Sequence, residues 1–125
     1  DYSPALIEKM IHASSSDTVR SKALSGKPAR QLKTAWTAAW ESKESPGTLP
    51  MPLQFMLTSE AVARIYRSAY TTTSPKAREL LGTAVGQIVG RIQESRSTKD
   101  VIYTMTEEVI DTMDRMNALM AAAEK

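Results

Sequence analysis

Apolar residues recur at helical spacing in five stretches of the chain, separated by polar or proline-containing breaks. Ser3-Pro4 pairs a capping residue with proline at the first helical position, and Leu6, Ile7, Met10 and Ile11 follow, predicting a helix over about 4–13. Ser14-Ser15-Ser16-Asp17 breaks it. Residues 18–24, with Val19 and Leu24 as their large apolar side chains, run to the turn-forming Ser25-Gly26 and read as an extended piece. Pro28 predicts a second helix to about Ser42, with Leu32, Ala35, Trp36, Ala39 and Trp40 on one stripe. Residues 44–52 hold Pro46, Gly47, Pro50 and Pro52 and form a rigid connection. A third helix over 53–70 places Leu53, Met56, Leu57, Ala61, Ile65 and Ala69 inward, and Thr71-Thr72-Thr73 ends it. Ser74-Pro75 opens a fourth, to about Glu94. Ser97-Thr98-Lys99-Asp100 caps a long last helix in which Val101, Ile102, Met105, Val109, Met113, Met116 and Met120 are spaced almost as heptads. The fold class expected is mainly α: five helices with one short extended segment and no repeat of solenoid length.

The fourth helix would carry Gly82, Gly86 and Gly90 at spacing four, a bare stripe on one face. Glycine inside a helix costs about 1 kcal/mol against alanine, so three on one face call for a close neighbour. Three neighbours satisfy the pattern: another backbone packed tightly, a flat aromatic ligand or a substrate.

Charge and composition narrow the chemistry. The 125 residues suit one ordinary domain or a part of one, and 42% of them are hydrophobic. Sixteen Lys/Arg against fourteen Asp/Glu are mixed along the chain, with no basic block dense enough to track nucleic acid. No cysteine is present, which excludes thiol catalysis and disulfides. No apolar run reaches membrane-spanning length and no secretory leader opens the chain, so a soluble, cytoplasmic protein is expected. His12 is the only histidine and falls at a helix end, where it suits the helix dipole. Glu107, Glu108, Asp111 and Asp114 lie on the outer face of the last helix as a solvated surface, with no histidine to complete a metal site. Trp36 and Trp40, one turn apart, suit burial or stacking. Lys22, Lys27, Arg30 and Lys33 are the densest basic cluster, close to the expected helix start at Pro28. No nucleophile elbow, phosphate-binding glycine loop or metal-binding His-Glu-x-x-His occurs.

Three segments in order, Asp17-Thr18-Val19, Ser25-Gly26-Lys27-Pro28-Ala29-Arg30-Gln31-Leu32 and Gly86-Gln87-Ile88-Val89-Gly90-Arg91-Ile92, resemble the C-terminal third of the nitronate monooxygenase (2-nitropropane dioxygenase) family. The resemblance runs from Tyr2 to the last helix. It implies an FMN-dependent (β/α)8-barrel oxidoreductase whose barrel strands, phosphate-binding loops and histidine base all lie outside residues 1–125. The chain would then be a single helical region covering the barrel mouth, not an independent domain and inactive alone, with the barrel as partner in the same or a separate polypeptide. Ala84, Gly86 and Gln87 match the family's segment near flavin and substrate, so the resemblance implies a wall of the pocket there. It assigns no catalytic residue and no metal ligand to this chain. Residues 36–54, ending Leu49-Pro50-Met51-Pro52-Leu53-Gln54, resemble a subgroup for which reduction of acyl-CoA or enoyl thioesters is the alternative to nitronate oxidation. A different class of protein also satisfies the pattern: a non-catalytic helical module whose Met-rich last helix docks a partner helix.

Overall fold

The computed structural model describes residues 2–71 and 74–123. It is mainly helical and divides into two compact units, residues 1–93 and 94–125. In the first unit α1 (Pro4–Ile11) is followed by a 3-10 turn, a hairpin of β1 (Thr18–Ser21) and β2 (Ala29–Leu32), then α2 (Ala35–Glu41), α3 (Leu53–Thr71), α4 (Pro75–Leu80) and a second 3-10 turn at Gln87–Arg91. The second unit is α5 (Thr98–Ala123) with its cap. Of the threonines expected to end the third helix, Thr71 is its last residue and Thr72 and Thr73 lie outside the described residues.

The extended piece expected at 18–24 is present as β1, but the helix expected from Pro28 is not. Ala29–Leu32 pairs antiparallel with β1, Thr18 opposite Leu32 and Arg20 opposite Arg30. The helix starts only at Ala35, where Thr34 and Thr37 cap each other's backbone N–H groups. Gly26, at φ +82°, makes the turn, and any side chain there would overlap the backbone at Leu49 and Pro50.

The fourth helix also stops early, at Leu80. Residues 82–86 are extended or irregular and Gly90 falls in the separate 3-10 turn at Gln87–Arg91, so the three glycines do not share the face of one helix. Each glycine would have weakened a helix, β-branched Thr83, Val85, Ile88 and Val89 add to that cost, and the free edge of β2 offers the backbone other partners. Leu32 N–H donates to Thr83 O and Val85 N–H to Arg30 O, with Ala84 opposite Gln31.

Helix α3 spans the expected residues but is turned from the expected face. Gln54 and Thr58 are buried, while Leu53, Met56 and Leu57 are exposed, Met56 by 69%. Hydrogen bonding explains the turn. Gln54 Nε2 donates to Ala23 O and its Oε1 accepts from Leu49 N–H, while Thr58 Oγ1 donates to the carbonyls of Leu24 and Gln54. These bonds satisfy loop groups that would otherwise be buried unpaired, at a cost of about 1–3 kcal/mol each. Further along, Ile65, Tyr66 and Ala69 do face the core of Leu6, Leu32, Leu81 and Val89.

In the second unit the expected cap is formed: Asp100 N–H donates to Ser97 Oγ, which itself donates to Asp100 Oδ2. No residue of α5 is buried; Ile102, Met105, Val109, Met113, Met116 and Met120 are all exposed.

Lys9 ties α1 to the end of α4. Its ammonium donates to the carbonyls of Arg78 (2.8 Å), Glu79 (3.3 Å) and Leu81 (2.8 Å) where that short helix stops, the first of them shared with the Leu81 N–H. Partial burial pulls its pKa below the usual lysine value, opposed by the nearby Glu79 charge. Lys9→Met keeps the aliphatic stem and removes the cap, so it is expected to destabilise the chain by about 1–3 kcal/mol. Denaturant unfolding measures this, and an unchanged midpoint would refute the cap.

Candidate functional site

The residues singled out by resemblance, Ala84, Gly86 and Gln87, lie together on the outer edge of the small sheet. Because Thr83 O and Val85 N–H both turn inward to β2, the N–H and C=O of Ala84 point away from it. Gly86 then caps the 3-10 turn in extended backbone, φ −81° and ψ 170°. Ala84, Gly86 and Gln87 are all exposed, and the Gln87 carboxamide has no hydrogen-bond partner among the described residues.

The three glycines answer different constraints. A Cβ on Gly90 would fall 2.5 Å from the backbone nitrogen of Ser15, and one on Gly82 would fall 2.8 Å from Thr34 Cγ2. Both serve close packing. At Gly86 a Cβ would meet only Ile88, its Cγ2 at 3.6 Å and its backbone nitrogen at 3.9 Å, both ordinary contacts. Neither φ nor packing within the chain requires glycine there.

Behind this edge, Tyr66 on α3 anchors the segment by donating to Gly82 O at 2.6 Å. Burial raises the phenol's pKa, opposed by hydrogen bonding at Thr83. Sequence reasoning passed over Tyr66, since its partner is a backbone carbonyl sixteen residues away. A small cavity of about 20 Å³ lies between β2, α3 and Gly82 and is lined by Trp36, Thr34 and Gln31. The Trp36 indole N–H is buried without a partner, and a cavity of this size holds about one water. Trp36 and Trp40 also meet each other, ring centroids 6.0 Å apart and tilted by 58°.

The remaining candidates are dispersed. His12 is exposed at the C-terminal cap of α1. Glu107, Glu108, Asp111 and Asp114 are exposed on α5, and the described residues contain no cluster able to hold a metal. Lys22, Lys27, Arg30 and Lys33 belong to the hairpin and its flanks, not to a helix start at Pro28. Asp17 accepts from the N–H and hydroxyl of Ser14 through Oδ2, which lowers its pKa.

No family model matches the chain, and no solved structure matches it either. It is similar to a protein of Mycobacterium tuberculosis described as putative monooxygenase Rv1533, 46% identical over 117 residues. That alignment covers 94% of the chain and 31% of the relative, so the chain spans about a third of the protein it matches. No helix among the described residues is long and apolar enough to cross a membrane.

Two substitutions separate the glycine roles. Gly90→Ala is expected to lower stability by about 1–3 kcal/mol through overpacking against Ser15, whereas Gly86→Ala is expected to leave the melting temperature unchanged. Equal losses in a thermal melt would contradict the assignment. Tyr66 gives a pH test. A raised folded-state pKa means a contribution present below the unfolded phenol value near 10 and lost as pH rises through the folded value. Tyr66→Phe should therefore flatten the fall in stability above about pH 10, and an alkaline limb identical to that of the unsubstituted protein would count against it.

Proposed function

We propose that this chain is the helical C-terminal part of an FMN-dependent oxidoreductase of the nitronate monooxygenase type, shaping the substrate side of the flavin pocket. The observation that carries the reading is Gly86, bare and exposed on an open sheet edge where nothing within the chain requires glycine. The likeness to a putative monooxygenase over a third of that protein's length supports it. So does the apolar surface left open on α3, where Leu24, Phe55, Val62, Ala63 and Tyr66 line a groove of about 350 Å³. A barrel in the same or a separate polypeptide would cover such surface.

The residues at 84–87 fit one wall of a flavin and substrate pocket. Ala84 and Gly86 leave space for a flat group, Ala84 presents a free backbone donor and acceptor, and Gln87 offers a carboxamide that both donates and accepts. They do not form a phosphate cradle, so FMN would be held mainly by residues beyond this chain. When bound, the flavin supplies electron transfer between substrate and acceptor. The part of this chain is to orient the substrate through Gln87 and to keep water from the reacting face. Reduction of acyl or enoyl thioesters on the same scaffold is the alternative chemistry. The exposed Met-rich face of α5 favours the second reading, a helical module that docks a partner helix.

Visible flavin absorbance in the purified complete protein, with FMN released on denaturation, is expected for the oxidoreductase and absent for the module. In that complete protein Gln87→Ala is expected to keep the melting temperature and lower kcat/KM about tenfold or more, the scale of a lost hydrogen bond to substrate. Gly86→Leu should likewise spare stability and impair turnover. Unchanged kinetics in both variants would sink the pocket wall.

A further inference from the structure

Between Asp17 and Glu41 the chain carries Arg20, Lys22, Lys27, Arg30 and Lys33 and no carboxylate, although basic and acidic residues nearly balance overall. The register of the hairpin sharpens this asymmetry. Arg20 stands directly opposite Arg30 across the two strands, a juxtaposition that ten intervening residues conceal in the sequence. Side chains so paired start about 4.5–5.5 Å apart, and like charges in that position repel. Both arginines are exposed and neither joins an ion pair; the ion pairs of the described residues use Glu60 and Glu94 with arginines elsewhere. The nearest carboxylates in sequence, Asp17 and Glu41, accept from the hydroxyls of Ser14 and Ser21, and neither forms an ion pair with Arg20 or Arg30 among the described residues. Lys33 lies by Asp17, whereas Arg20 and Arg30, like Lys22 and Lys27, join no ion pair among the described residues.

Arg30 is also held in place. Its Nη1 donates to Thr18 Oγ1 at 2.9 Å, and the same hydroxyl donates to Ser15 O at 3.0 Å. Thr18 is buried, so this relay fixes one corner of the guanidinium and leaves its other N–H groups free. A fixed guanidinium beside a second one provides the forked donors that phosphate oxygens accept.

We propose that Arg20 and Arg30 form a binding site for the phosphate or pyrophosphate group of a small-molecule ligand. The site goes beyond the flavin-pocket reading and does not depend on it, since a colourless protein would still bind the anion. Two guanidinium groups on one ribbon match a compact anion and not the long charge track of a nucleic acid.

Calorimetric titration of the complete protein with inorganic pyrophosphate at low ionic strength is the test. Saturable binding is expected, weakened about tenfold or more in Arg20→Gln and in Arg30→Gln, as for loss of a charge-assisted hydrogen bond. Lys76→Gln, on α4 away from the hairpin, should bind as the unsubstituted protein does. Arg20→Gln should keep or raise the melting temperature, because it removes a repulsion; Arg30→Gln need not, so the Arg20 variant separates binding from folding. Displacement of pyrophosphate by FMN but not ADP would assign the site to the flavin phosphate, and displacement by ADP to a second nucleotide. No saturable binding, equal weakening in Lys76→Gln, or tighter binding of a single-stranded oligonucleotide through the same arginines would overturn the proposal.

Discussion

The first unit depends on the antiparallel seating of residues 83–85 against β2. Two backbone hydrogen bonds, Leu32 to Thr83 and Val85 to Arg30, end the helical run begun at Pro75 and add a third extended segment to a two-stranded ribbon. Their position determines much else. Tyr66 reaches Gly82 O only because the chain turns there, and Gly90 approaches Ser15 only because the 3-10 turn follows directly. The core of Leu6, Leu32, Leu81 and Val89 gathers residues from both sides of this seam.

One consequence of the seam is an open edge. Backbone groups on the inner side of 83–85 are paired, while those of Ala84 face out beside Gly86 and Gln87. Open edges next to bare glycine are costly to leave unprotected in a free surface, because they template pairing with other chains. A pocket wall or an interface gives the same groups partners. The outward apolar residues of α3 and the exposed stripe of α5, each within its own unit, raise the same demand for cover.

Charge follows a separate logic on the hairpin. Its basic residues do not gather at a helix start, where the dipole would have focused an anion; strand pairing gathers them. Register converts a dispersed cluster into a cross-strand pair, and the Thr18 relay then orders one member of it.

Local signals made the helix starts at Pro4 and Pro75, the extended piece at β1, the span of α3 and the cap of α5 legible in the sequence. Each rests on contacts within a few residues: a proline at the first turn, a serine or aspartate side chain reaching back to a nearby N–H, apolar residues one turn apart. The mainly helical class followed from these alone. Tertiary structure decided the rest. Ala29–Leu32 and residues 82–86 carry patterns that a helix tolerates, and they became extended because each supplies the other's hydrogen bonds across fifty residues. Helix α3 turned its Gln54 face inward because loop carbonyls and an N–H of residues 23, 24 and 49 needed partners that Leu53, Met56 and Leu57 lack. The candidate wall at Ala84, Gly86 and Gln87 was found by motif, but its exposure, and the difference between Gly86 and its packed neighbours Gly82 and Gly90, depend on which atoms stand beside each Cα, and those atoms come from elements distant in the chain.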